Sequence, residues 1–92
     1  MVKPYIELSD KMRVFPNDIP EEELVWHRDE ENRIIRIVNG VGWQFQYENN
    51  LPFELEVGEI FFIPKMMYHR IYKKGNNNLI IEIVKNDGND DG

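Results

Sequence analysis

"LVWHRDEENRIIRIVNG", Leu24–Gly40, sets an imidazole, a carboxylate and a guanidinium just ahead of a run of β-branched residues. The second half, Arg33–Asn39, reads as a strand: isoleucine and valine dominate it, and Gly40 closes it. Period-two alternation through the first half puts His27 and Asp29 on one face, with Trp26 and Arg28 on the other. The stretch therefore offers two candidate ligands pointing one way, and its meaning depends on what the other strands bring to meet them.

Working outward, almost every apolar segment is short, rich in Ile, Val, Phe and Tyr, and bounded by Gly, Pro, Asn or Asp. Strands are predicted near Tyr5–Leu8, Met12–Phe15, Val25–Arg28, Arg33–Asn39, Trp43–Glu48, Phe53–Val57, Ile60–Ile63, Tyr68–Lys73 and Leu79–Val84. One short helix is expected at Asp18–Leu24, where an N-cap aspartate precedes a proline and three glutamates. The breaks at Asp29–Asn32, Gly40–Gly42, Asn49–Pro52, Gly58–Glu59, Pro64–Lys65 and Gly75–Asn78 are turn chemistry and predict hairpins in a mostly antiparallel sheet. So many strands in so few residues predict a closed barrel or double-sheet jelly roll, which protects strand edges. Residues 1–85 are expected to form this single domain, and 86–92, which lack any apolar side chain, a disordered solvated tail.

Composition removes several functions. The formal net charge of -6 argues against a nucleic-acid or anionic-membrane partner, whose affinity rests on Lys and Arg. No apolar run approaches a bilayer span and the start of the chain has no signal-peptide core, so a cytoplasmic location is expected. The chain has no cysteine or threonine, and Ser9 is its single serine, which leaves almost no nucleophile for covalent catalysis. Phosphate-binding glycine loops, nucleophile elbows and HExxH are absent.

The second histidine stands in "GEIFFIPKMMYHRIYK", Gly58–Lys73, where His69 and Ile71 share a face opposite Tyr68, Arg70 and Tyr72. Together the two stretches resemble the two motifs of the cupins, a family of small β-barrels. In the first motif, His27 takes the place of the first histidine, Asp29 the second, Arg33 the glutamate and Gly40 the closing glycine. In the second, Gly58, Pro64 and His69 fall at the family spacing. The departures are Glu21, Met66 and Lys73, which replace two glycines and an asparagine, besides Asp29 and Arg33 in the metal set.

The resemblance implies a single small cupin-type double-stranded β-helix with two alternatives for its hollow: a divalent metal on His27, Asp29 and His69, or a pocket in which the histidines supply hydrogen bonds and Arg33 fixes an anionic group. Iron, manganese, nickel and zinc are all compatible with such donors. Arg33 cannot be a ligand. Three outcomes are open to it: to turn away and leave the three residues to hold a metal, to anchor an anionic group by bidentate hydrogen bonds, or to lock Asp29 in an ion pair that makes the pocket metal-free. Gln44 and Gln46 alternate with Trp43, Phe45 and Tyr47, so that either the amides line the hollow as ligand contacts or the aromatics do, as core. Met66 and Tyr68 are expected at the rim of the same pocket.

Three functions follow as expectations: a small-molecule-binding cupin, a non-haem iron dioxygenase or isomerase using the His-x-Asp and distant His, and a structural module using the barrel as scaffold. Tyr5, Phe15, Trp26 and Phe61 exceed what a small core is expected to hide, which predicts a homodimer covering an aromatic face.

Overall fold

A computed structural model describes residues 5–20 and 24–87. The β-branched and aromatic runs form eight strands: β1 (Ile6–Glu7), β2 (Met12–Phe15), β3 (Asn32–Asn39), β4 (Trp43–Tyr47), β5 (Phe53–Glu54), β6 (Ile60–Ile63), β7 (His69–Lys73) and β8 (Leu79–Asp87). They make two antiparallel sheets, one of five strands in the order β1-β2-β8-β3-β6 and one of three in the order β5-β4-β7. The chain is all-β, a small jelly roll of cupin-like architecture.

The core lies between the sheets and follows the period of two. Ile35 and Ile37 of β3, Ile63 of β6 and Leu79 and Ile83 of β8 face Trp43 and Phe45 of β4, all of them buried. Burying one such side chain is worth roughly 1.5–3 kcal/mol. Trp43 is wholly enclosed, and its indole N–H donates to the Asn77 carbonyl at 2.7 Å, so no polar atom of the ring is stranded.

Several expectations change at this level. The Asp18–Leu24 segment forms no helix among its described residues: Asp18 sits in a turn, Ile19 and Pro20 are irregular, and Ile19 is buried in the core. Burying Ile19 holds the chain against the sheets where a helical turn would have carried it away; Glu21–Glu23 lie outside the described residues. Most of the predicted hairpins are arches instead. Among the described strands only β1–β2 and β4–β5 pair with their sequence neighbour, whereas Gly40–Gly42, Pro64–Tyr68 and Lys74–Asn78 each carry the chain from one sheet to the other. Turn residues reverse the chain without specifying which sheet receives it; the apolar face of the next strand does that.

At the C-terminal end β8 runs two residues into the expected tail, because the backbone of Asn86 and Asp87 pairs with Arg33 and Asn32 of β3 whatever the polarity of the side chains. Residues 88–92 lie outside the described residues. The expected aromatic face is not one surface. Phe15 and Phe61 pack on the core, Tyr5 packs on Phe15, and Trp26 is on the other sheet beneath Arg70.

Candidate metal centre

Next to β7, on the side away from β4, the chain from Val25 to Asp29 runs extended and pairs at one point: His27 N–H donates to the His69 carbonyl at 3.0 Å and His69 N–H to the His27 carbonyl at 2.9 Å. Residues exchanging both bonds project on the same side of the sheet, so the two imidazoles meet, with ring centroids 4.3 Å apart. Asp29, two residues on, projects to the same side as His27 and is part-buried, while His27 itself stays exposed. One donor atom from each of His27, Asp29 and His69 lies within 4.8 Å of the others.

Each ring is set by its own backbone. His27 Nδ1 lies 3.1 Å from the Val25 carbonyl, and His69 Nδ1 lies 2.9 Å from the Met67 carbonyl. A carbonyl oxygen only accepts, so both Nδ1 atoms carry a proton, and in the neutral form of either ring Nε2 is the atom with the lone pair. Phe45 stacks on the His69 ring at 5.5 Å and 16°, fixing its plane. His69 is 4 % exposed, and burial lowers its pKa below the usual histidine value. The Met67 carbonyl and the Asp29 carboxylate oppose that shift, while the charges of His27 and Arg33 reinforce it, and burial prevails.

A neutral His69 leaves an electrostatic conflict. Its Nε2 lone pair lies 3.4 Å from Asp29 Oδ2, which is itself buried without a hydrogen-bond partner. Two acceptors face each other across a distance that a shared cation would turn from repulsion into coordination. The donors present therefore suit a divalent metal: two imidazoles held by second hydrogen bonds, and one carboxylate oxygen that lacks a hydrogen-bond partner and has only the charge of Arg33 beside it.

Arg33 does not turn away. It pairs with buried Ile63 across β3 and β6, so its side chain enters the interior, and its Nη1 lies 3.4 Å from Asp29 Oδ2. The guanidinium thus occupies the flank of the carboxylate, where the cupin pattern has a fourth ligand.

The other candidates are divided. Gln44 and Gln46 are on the far face of β4, because Trp43 and Phe45 are buried between the sheets. Gln46 there accepts from Arg70 at 3.1 Å and Tyr72 at 2.8 Å, in a cluster whose Arg70 guanidinium lies between the rings of Trp26 and Tyr72. Tyr68 also points outward, under the Arg28 guanidinium. None of these three joins the histidines. Met66 remains at the rim: it is exposed, and its N–H donates to the Asp29 carbonyl at 2.7 Å. Its φ of 64° is the left-handed value for which the resembled motif keeps a glycine, so the turn persists where the glycine does not.

Two neighbours of the site were not anticipated in that role. Phe45 and Tyr47 belong to the aromatic face of β4, and register places Tyr47 directly opposite His69. The Tyr47 hydroxyl donates to the Phe62 carbonyl, and burial, then the charge of Glu59, raises its pKa. The signal lay in the alternation of "WQFQY": once Trp43 is core, Phe45 and Tyr47 must share its side.

Comparison with known proteins agrees with this architecture. No family model matches the chain, and no curated protein is similar to it in sequence. Among solved structures, KdgF from Halomonas sp., a cupin-fold protein, superposes with a TM-score of 0.58 at 14% identity, over 95% of this chain and 89% of that one. Protein NMB1881 from Neisseria meningitidis superposes with a TM-score of 0.51 at 17% identity, over 86% of this chain and 79% of that one. The fold is cupin-like, and a His-Asp-His group that could bind a metal ion lies within it. No described helix is long and apolar enough to cross a membrane.

Burial of His69 has a consequence for stability. Below the unfolded value of 6.5 the unfolded chain takes up a proton that the folded chain refuses, so stability falls as pH drops through 6.5 toward the lowered folded value and is fully present above it. Urea unfolding with chelator present, between about pH 5 and 8, is expected to show this decline, and His69→Gln to flatten it. An unchanged slope in the variant would mean that another group carries the dependence.

Proposed function

We propose that this protein is a small cupin that holds one divalent metal on His27, Asp29 and His69 and uses the metal's open positions, beside Arg33, to bind a small anionic molecule. The observation that carries the reading is the unsatisfied Asp29 Oδ2 facing the free Nε2 of a neutral, buried His69. When bound, the metal supplies a Lewis-acid centre with places for exogenous ligands, as three-ligand sites do. The chain's own contribution is to orient two imidazoles through the Val25 and Met67 carbonyls and to keep a cation beside the site.

Charge supports the anionic ligand. Asp29 and Arg33 cancel, so a divalent ion held there adds two positive charges to a balanced pair inside a chain of net charge -6. A carboxylate reaching both the metal and the planar guanidinium gains two charge-assisted contacts. Binding, not turnover, is the proposal. The second reading, an iron-dependent dioxygenase or isomerase, draws on the same two-histidine, one-carboxylate set, which suits iron(II) with open positions.

Isothermal titration with Zn2+, Mn2+, Ni2+ and anaerobic Fe2+ tests the metal, and is expected to give one equivalent for at least one of them. Addition of small carboxylates to the loaded protein tests the anion; an approximately tenfold loss in Arg33→Ala is expected for losing a charged contact. Absence of stoichiometric binding of every metal would overturn the proposal. Carboxylate affinity indifferent to Arg33 would remove the anion-binding half.

A further inference from the structure

The backbone pairing that turns His27 and His69 inward turns Trp26, Arg28, Tyr68 and Arg70 to the outer face of the three-stranded sheet. Each arginine there rests on aromatic rings. The Arg28 guanidinium lies 5.1 Å from the Tyr68 centroid, and that of Arg70 lies 4.4 and 4.3 Å from the centroids of Trp26 and Tyr72. In a chain with 17 acidic residues against 11 Lys and Arg, neither has a carboxylate partner among the described residues, whereas Arg33 and Arg36 both do. Arg70 is the more tightly held. Its Nε donates to Gln46 Oε1 at 3.1 Å, the same oxygen accepts from the Tyr72 hydroxyl at 2.8 Å, and Gln46 Nε2 donates to the Asn50 carbonyl at 2.8 Å. This network leaves the two Nη groups of Arg70 without a hydrogen-bond partner among the described residues. Neither is enclosed, because Asp29 Oδ2 is the single buried side-chain polar atom among those residues that lacks a partner. Both Nη groups therefore reach solvent.

We propose that Arg70, flanked by Trp26 and Tyr68, is a second ligand site on the outside of the barrel, and that it takes a carboxylate carried on a flat apolar body. It rests on nothing proposed for the metal. With Nε occupied by Gln46, the guanidinium keeps one paired edge, Nη1 and Nη2, which matches the two oxygens of a carboxylate end-on. Two rings and an amide hold that edge in place before a ligand arrives, so little side-chain freedom is lost on binding. The neighbouring surface selects the rest of the ligand. Trp26 and Tyr68 are 38% and 40% exposed, and two large rings beside one partnerless cation offer contact to a flat body attached to the carboxylate.

The surrounding charges limit the ligand to one anionic group. Arg28 supplies a second cation one diagonal step away across the strand pair. Glu48 stands across from Tyr68, Glu54 across from Gln44, Glu30 two residues beyond Arg28, and Lys74 two beyond Tyr72. None of the three carboxylates pairs with Arg28 or Arg70, but they border the patch, so a polyanion crossing the face meets repulsion at its margins. A single carboxylate faces only the two guanidinium groups. Inorganic phosphate brings more negative charge toward the same carboxylates and has nothing to lay on the rings. Two sources carry the matching chemistry: a free aromatic acid, and the C-terminal carboxylate of a peptide ending in an aromatic residue. Benzoate and N-acetyl-glycyl-phenylalanine are the respective probes.

The two indole N–H signals in a nitrogen–proton correlation spectrum of the full, metal-free chain read this site, with Trp26→Phe to assign them. Trp26 borders the site, whereas Trp43 is enclosed and bonded to the Asn77 carbonyl, so its signal is the internal control. Each probe, titrated into the tens of millimolar, is expected to move the Trp26 signal to saturation and leave that of Trp43 in place. Tighter binding of benzoate assigns the site to a free acid, and tighter binding of the dipeptide to a peptide terminus. Inorganic phosphate is expected to bind at least about fivefold more weakly than the better probe. Arg70→Gln and Arg70→Lys, the second of which keeps the charge but not the planar fork, each weaken that probe at least about tenfold. Arg13→Gln, over Tyr5 on the other sheet, changes nothing. No saturable shift of Trp26 with either probe, full affinity in either Arg70 variant, or phosphate bound as tightly as the carboxylates would overturn the proposal.

Discussion

His69→Ala is expected to lower metal affinity at least about 100-fold, more than loss of a supporting hydrogen bond costs such sites, with His27→Ala and Asp29→Asn close behind. Order within the set follows from preorganisation. His69 is buried, stacked on Phe45 and tied to the Met67 carbonyl, so its lone pair is already aimed and little entropy is lost on coordination. His27 is solvent-exposed and held by a longer contact to Val25, so more of its freedom remains to be lost. Titration calorimetry on the three variants checks the order, with circular dichroism to confirm that each retains the fold. Equal affinity in His69→Ala and the parent protein would place the metal elsewhere.

Asp29→Asn separates coordination from packing. The amide keeps the shape of the carboxylate and can donate to His69 Nε2, relieving the contact between two acceptors at 3.4 Å. Metal affinity falls while the metal-free fold persists. A variant that lost both would make Asp29 a structural residue through its pairing with Arg33.

Much of this centre was legible because period two is a property of the backbone. His27 and Asp29 had to share a side once their segment was extended, and Gly58, Pro64 and His69 fixed the second block at a recognisable spacing. Arg33 was legible as a departure but not as a position, since pairing with Ile63 on β6 decides that it points inward. Gln44 and Gln46 were undecidable for the same reason in reverse. Alternation says that they oppose Trp43 and Phe45, and only the packing of the second sheet says which set is inside. The bulge at Ile34 and Ile35, where the partner on β8 skips from Lys85 to Ile83, leaves no sequence signature comparable to a glycine turn.

Glycines give the second large effect, and the structure reverses the order that the motifs suggest. Gly42→Ala is expected to destabilise the fold by at least about 3 kcal/mol, the scale of a severe steric or backbone defect. A Cβ there would lie 2.1 Å from the Lys74 carbonyl oxygen, which is backbone and cannot swing aside, and φ is +91°. The close approach of the Gly40–Gly42 and Lys74–Asn78 arches is what seats Trp43 under the Asn77 carbonyl, so displacing one arch loosens the largest core side chain. Gly58, the residue that begins the second motif, has a similar φ of +88°, but a Cβ there would meet nothing within 4 Å, so Gly58→Ala bears only the conformational cost of about 1 kcal/mol. Urea midpoints of the two variants at neutral pH measure the difference. If Gly58→Ala proved as damaging as Gly42→Ala, the left-handed backbone would set the cost at both, and contact between the two arches would not be what keeps position 42 a glycine.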